Sequence, residues 1–209
     1  MRENRVKKLA VFDDKELRGI VSHTDIAQKH PDLMTKLIDM RRKRDRGVVE
    51  DIISLITQEK GAHLEFKSSL RYDRDTKQRN PAPERVVLKT ICAFMNAEGG
   101  TLLIGLSDDN QVMGIDEEYT IIKSHNRDGF QNLLMSMVSN SIGNYYLQYV
   151  KVVFQNVLGN DLFQVNVSAS MKPSYQTNKG KQEFYVRTGN NSRPFKISEA
   201  TEYIGTRWG

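Results

Sequence analysis

Gly99 and Gly100 sit between an apolar helix pattern and an apolar strand pattern. This junction constrains the fold more than any other part of the 209-residue chain. Glu84 to Ala97 spaces Val87, Ile91, Phe94 and Met95 along one helical face. Thr101 to Leu106 is a short continuous apolar run, as a strand buried on both faces requires. A helix that must stop and feed such a strand at once needs a residue at positive φ, which glycine adopts without steric cost. Upstream, His63 to Ser69 alternates, with Leu64 and Phe66 on one side and Glu65 and Lys67 on the other. Downstream, Asp108-Asp109-Asn110 reads as a turn and Val112 to Ile115 as a further strand. Asp108 therefore lies where a buried strand surfaces, a place where functional polar groups concentrate.

Before this core, Leu9 to Phe12 and Leu17 to Ser22 read as two short strands around a turn at Asp13 to Glu16. Pro31 and Asp32 mark a boundary and a helix start. Leu33, Leu37 and Met40 form a helical stripe that ends in the basic run Arg41 to Arg46. Such a run either grips phosphates or is a solvated tail set favourably against the helix dipole. Val48 to Ile56 reads as a second helix. Arg71 to Pro83 reads as a mobile surface loop, whose Arg71, Arg74, Lys77 and Arg79 could wrap a nucleic-acid strand.

After the core, Arg127 to Ile142 is an amphipathic helix with Phe130, Leu133, Leu134 and Met137 facing inward. Tyr145 to Phe154 and Leu162 to Val167 alternate as strands, with hairpin chemistry at Gly159-Asn160. Glu183 to Arg187 reads as a strand showing Phe184 and Val186 on one face, Tyr185 and Arg187 on the other. An aromatic beside an arginine can stack a base and hold a phosphate. The backbone amides of Gly189-Asn190-Asn191-Ser192 could cradle an anion. Ser198 to Arg207 is a closing helix with Ser198 as its candidate cap.

Charged residues make up 27% of the chain and hydrophobic residues 38%, an ordinary balance for a soluble protein. The formal net charge of +5 favours polyanionic partners without proving them. The single cysteine, Cys92, excludes an internal disulfide and reads as a small core residue. The four scattered histidines argue against a structural zinc site. With no long apolar run and no signal-peptide pattern, a cytoplasmic location is expected.

The blocks LEFKSSLRYD, ICAFMNAEGGTLLIGLSDD, VMGID, FYVRTGNNS and YIGTRW occur in that order and resemble the Schlafen AlbA-type domain over roughly residues 59–208. The resemblance implies an α+β fold, a mixed β-sheet with flanking helices, and nucleic-acid binding. In some members it implies metal-dependent cleavage of transfer or ribosomal RNA. Gly19-Ile20-Val21-Ser22-His23-Thr24-Asp25 resembles the end of a CBS domain. In that family the positions matching Ser22 and Asp25 often meet the ribose and phosphates of adenine nucleotides. The expected organisation is a partial CBS-like segment over residues 1–31, a helical linker over 32–58 and a Schlafen AlbA-type domain over 59–209.

Three functions follow as expectations. The first is a regulatory or defence-related module that holds DNA or RNA by the backbone, with Lys67, Arg71, Tyr185 and Arg187 as contacts. The second is an endoribonuclease using Mg²⁺ or Mn²⁺, which need clustered oxygen ligands. By the resemblance its catalytic and metal-binding residues would be Glu59, Glu65 and Asp108. Lys60 stands where the first glutamate of the family pattern is expected, with Glu59 one residue earlier. The bland alternative pairs Glu65 with Lys67 or Arg71 on a sheet surface and makes Asp108 and Asp109 turn formers. The third is an adenine-nucleotide-sensing regulator. No membrane partner is expected, and self-association into a homodimer is left open.

Overall fold

A computed structural model describes the backbone of residues 8–13 and 16–22 and the whole of residues 51–209. The chain divides into two compact units, Met1–Ile53 and Ser54–Gly209. In the first, strands β1 (Lys8–Asp13) and β2 (Glu16–Ser22) pair antiparallel, with the register shifting at Val11/Phe12. These are the two short strands expected from the sequence. The helix expected from Asp32 and its basic run Arg41 to Arg46 lie outside the described residues.

The second unit is built on β3 (Leu64–Lys67), β6 (Gly100–Ile104), β7 (Val150–Val157) and β8 (Asn160–Val167). Their order in the sheet is β3-β6-β8-β7. β3 runs parallel to β6, whereas β6–β8 and β8–β7 are antiparallel. The sheet is therefore mixed, and the α+β expectation holds. A parallel neighbour needs a long crossover. Here that crossover contains the hairpin β4 (Tyr72–Asp73) and β5 (Gln78–Arg79), then helix α1 (Ala82–Asn96). Helix α2 (Arg127–Ser141) packs beside α1, its first turn capped by Asn126, whose side chain accepts from the Gly129 N–H at 2.8 Å. The core lies between these helices and one sheet face: Val87, Ile91, Phe94, Met95, Leu102, Ile104, Phe130, Leu134, Phe163 and Val165 are all solvent-free. Phe66 and Leu103, on the opposite sheet face, are also fully buried.

The glycine junction works as its sequence predicts. Gly99 adopts φ +80°, and its N–H donates to Phe94 O at 3.0 Å, closing α1. A Cβ there would lie 2.6 Å from Val167 O, and one on Gly100 would lie 2.6 Å from the Phe94 ring. Close packing thus requires both glycines, and the turn requires Gly99.

Several local expectations are corrected. Arg71 to Pro83 is an anchored hairpin and helix start, with Leu70 and Tyr72 buried. Its entry is held by Glu118, buried in the 3₁₀ helix η1 (Asp116–Ile121), whose carboxylate accepts from the Leu70 and Arg71 N–H groups. Pro81 and Pro83 flank the start of α1, where a missing N–H costs nothing. Val112 to Ile115 contributes only an isolated bridge, Leu106 to Val112. Tyr145 to Tyr149 belongs to the 3₁₀ helix η2 (Asn144–Tyr149), because Gly143 at φ +127° turns the chain before β7 begins. The β7–β8 turn is Leu158-Gly159, one residue earlier than expected, since Val157 pairs with Asn160.

The remaining strands are short hairpins. β9 (Gln176–Asn178) pairs with β10 (Lys181–Glu183), and β11 (Tyr185–Thr188) with β12 (Asn191–Pro194). Helix α3 (Ile197–Trp208) closes the unit. Its first turn is capped by Glu199 reaching back to the Lys196 N–H at 2.8 Å, not by Ser198. Among the described residues no helix is long and apolar enough to cross a membrane.

The glycine analysis makes a stability prediction. Gly99→Ala should lower folding free energy by about 2–3 kcal/mol, combining positive-φ strain with a backbone clash. Gly180→Ala, at φ +78° with nothing within 4 Å of a new Cβ, should cost only about 1 kcal/mol. Urea-denaturation midpoints of the two variants check the difference.

Candidate nucleic-acid interface

Arg187 is the hub of the region expected to carry function. It lies on β11, which packs against α1, and its side chain is 1% exposed. The guanidinium lies over the Phe94 ring, 5.1 Å from its centre. It donates to Gly61 O at 2.7 Å, Leu64 O at 3.1 Å and Glu65 Oε2 at 2.8 Å. The planar fork thereby grips the start of β3, with a further Nη1 bond to Ser192 Oγ at 3.4 Å, an array a lysine could not reproduce.

Glu65 is consequently held by cations. Lys67 Nζ lies 3.0 Å from its other oxygen, and Lys60 Nζ lies 4.0 Å from it. Burial works to raise the Glu65 carboxyl, but bonds and charge from Arg187 and Lys67 prevail and hold it below the ordinary carboxylate range. Lys60 Nζ also sits 2.7 Å from Asp108 Oδ1. That hydrogen bond and charge depress the Asp108 carboxyl as well. The Lys60 ammonium thus lies between Glu65 and Asp108. Glu59 is exposed and has no hydrogen bond or ion pair among the described residues.

A divalent ion does not fit this arrangement. Both Glu65 oxygens are taken by Arg187 and Lys67, Lys60 lies on one oxygen of the exposed Asp108, and an ion entering beside that ammonium would meet like charge at close range. Among the described residues no three His, Cys, Asp or Glu side chains stand close enough to hold a metal together.

The other sequence-selected contacts also face inward. Arg71 is 13% exposed at its side chain, with Nε 3.0 Å from Glu84 Oε1 and Nη2 against Met137 Sδ. Tyr185 is buried and donates its hydroxyl to Glu183 at 3.1 Å. The strand from Glu183 to Arg187 breaks at Phe184, and both faces from Phe184 to Arg187 are buried. Lys67 keeps a quarter of its side chain exposed. Ser22 ends β2, and Asp25 lies outside the described residues.

Two further buried clusters are structural. Asn96 donates to Ser174 O at 2.8 Å and Tyr185 O at 2.9 Å, tying α1 to the C-terminal strands. Cys92 lies beside it, its thiol pushed up by burial to about 11, so it is a poor nucleophile. Asp161 is held by Arg127, by the Tyr119 hydroxyl at 2.8 Å and by Asn156 at 3.1 Å.

Charge distribution picks out residues that motif reading missed. Residues 101–150 contain six Asp or Glu and two Lys or Arg, whereas residues 151–198 contain two Asp or Glu and seven Lys or Arg. Of those seven, only Arg187 is buried. Lys151, Lys179, Lys181, Arg193 and Lys196 are exposed and have no acidic ion-pair partner among the described residues. A window count of charge along the chain is the signal that could have found them.

Fold and site together define an α+β domain with a basic C-terminal half. The family model described as "Schlafen, AlbA_2" matches residues 60–196, and the chain belongs to that family. Membership makes it a nucleic-acid-related domain. Its fold is similar to that of the DIP2311 protein from Corynebacterium diphtheriae, with a TM-score of 0.50 and 21% identity, over 81% of this chain and 29% of that one. The N-terminal domain of a RecG-related ATP-dependent DNA helicase protein from Nitrosomonas europaea matches with a TM-score of 0.42 and 17% identity, over 73% of this chain and 93% of that one.

Two measurements test the electrostatics. Arg187→Met should destabilise by about 3–5 kcal/mol, because Glu65 and two carbonyls lose their partner in the interior. Arg187→Met combined with Glu65→Gln should recover part of that loss. The folded Glu65 carboxyl is depressed, so its contribution is full above the unfolded value near 4.5. It fades as pH falls through the lower folded value, and Glu65→Gln should lack this acid-side loss. Glu118 has the opposite sign. Burial pushes its carboxyl up to about 7, so stability falls as pH rises from the unfolded value of 4.5 through 7. Between pH 5 and 8 the wild type should lose roughly 2 kcal/mol relative to Glu118→Gln, read from urea midpoints at each pH.

Proposed function

We propose that this domain binds nucleic acid through backbone phosphates, without reading base sequence. The observation that carries this reading is the segregation of charge, with seven basic and two acidic side chains between residues 151 and 198. The described unit is close to neutral as a whole, with 18 basic and 17 acidic residues over 51–209. Attraction to a polyanion therefore has to come from a local patch rather than from net charge. Family membership supports the same reading. Exposed lysines and arginines supply phosphate contacts and counterion release.

The metal-dependent endoribonuclease reading is the weaker one. Glu65 is committed to Arg187 and Lys67, and among the described residues no three His, Cys, Asp or Glu side chains cluster for Mg²⁺ or Mn²⁺.

The test is fluorescence anisotropy with labelled single-stranded and duplex 20-mers of mixed sequence, between 50 and 200 mM salt. Affinity should fall about tenfold or more across that range and vary little with sequence. Transfer RNA incubated with the protein and Mn²⁺ should stay intact. Salt-independent affinity, or no binding at 50 mM salt, would overturn the proposal.

A further inference from the structure

Three cavities, of about 450, 430 and 310 Å³, meet at Phe195. Phe195 follows β12 and precedes α3. Its backbone N–H donates to Phe184 O at 2.9 Å. Its ring is held edge-on by Tyr203, 5.5 Å away at 82°, and remains partly exposed. The cavity on one side is lined by Thr188, Arg193 and Lys196. Glu199 lines it too, but that carboxylate is turned onto the Lys196 backbone N–H. Arg193 and Lys196 are exposed and have no acidic ion-pair partner among the described residues. The cavity on the other side is part aromatic and part polar: Tyr175, Phe184, Phe195 and Ile197, the last 87% exposed, line it together with Gln182 and Glu183.

The arrangement sets Arg193 and Lys196, neither in an ion pair among the described residues, beside an aromatic wall whose other margins carry Glu183, Glu199 and Glu202. Cations hold phosphate, and aromatic faces accept an unstacked base; the two together match the repeat of a single strand. A base paired in a duplex is already stacked and cannot enter such a cleft. Volumes of this size are in the range that admits a nucleotide-sized group.

From this we infer that the cleft around Phe195 is a seat for single-stranded nucleic acid, with Arg193 and Lys196 on the phosphates and Phe195 against a base. The inference rests on the nucleic-acid reading above and locates its strand.

The test compares wild type, the pair Arg193→Ala/Lys196→Ala, the variant Phe195→Leu, and the control Lys123→Ala. Lys123 is exposed and lies outside the basic segment 151–198. Each protein is titrated into a labelled single-stranded 12-mer and a 12-base-pair duplex at several salt concentrations, and melting temperature is recorded alongside. The Arg193/Lys196 pair should weaken single-strand binding about tenfold and flatten the log–log salt slope by about 1.4, the value for two lost phosphate contacts. Phe195→Leu should weaken single-strand binding about fivefold or more while changing duplex binding little. Melting curves identify a Phe195→Leu protein that is merely unfolded, and the Arg193/Lys196 result then decides alone. If the wild type binds and the Arg193/Lys196 pair matches it in affinity and slope, the seat is wrong and the broader reading survives. Equal binding of duplex and single strand, with Phe195→Leu indifferent, would also overturn it. If the wild type binds neither probe, the broader reading falls as well.

Discussion

The buried ion pair between Arg187 and Glu65 links the two ends of the folded unit. Arg187 arrives on a hairpin near the C-terminus and closes on Gly61, Leu64 and Glu65, where the first strand of the main sheet begins. An unpaired charge at that depth would be strongly unfavourable, so neither side chain is stable without the other. The pair therefore requires the C-terminal hairpin to stay docked on α1, and it fixes the bend that launches β3. The second requirement is the approach of β6 to β8 and α1, possible only because Gly99 and Gly100 lack a Cβ.

The same clasp redirects the functional argument. Of the residues that family resemblance singles out, Glu65 and Asp108 are both within reach of the Lys60 ammonium. Glu65 is neutralised from within the chain, while Asp108 forms an exposed pair with Lys60. Charges spent on internal pairs are not available to a ligand. What remains for a polyanion is the set of exposed cations on the C-terminal strands, opposed by few acids. Charges are separated along the chain, so a near-neutral unit carries an exposed basic segment over residues 151–198.

Much of the architecture was legible in the chain. The helix over Ala82–Asn96, the glycine stop, the central strand and the helix over Arg127–Ser141 all follow from periodicity and from residues with special backbone freedom. Errors arose where a local pattern had two readings. Tyr145 to Tyr149 is apolar enough for a strand, yet its tyrosines pack on one another in a 3₁₀ helix. Arg71 to Pro83 is polar enough for a free loop, yet Leu70 and Tyr72 bury themselves and Glu118 captures the backbone from 48 residues away.

The candidate site was less legible, for a reason that applies to charged residues generally. Spacing along the chain determined that Glu65 and Lys67 share a strand face and that Gly99-Gly100 must turn the chain, because backbone geometry is local. It also determined that residues 151–198 are basic, since composition needs no coordinates. Only the tertiary structure decided which of those charges are free. Arg187 and Arg193 lie six residues apart and look alike in sequence, but one is enclosed between α1 and β3 and the other stands in solvent. A charge's role depends on what faces it across the fold, and for Arg187 those partners lie more than 120 residues earlier in the chain.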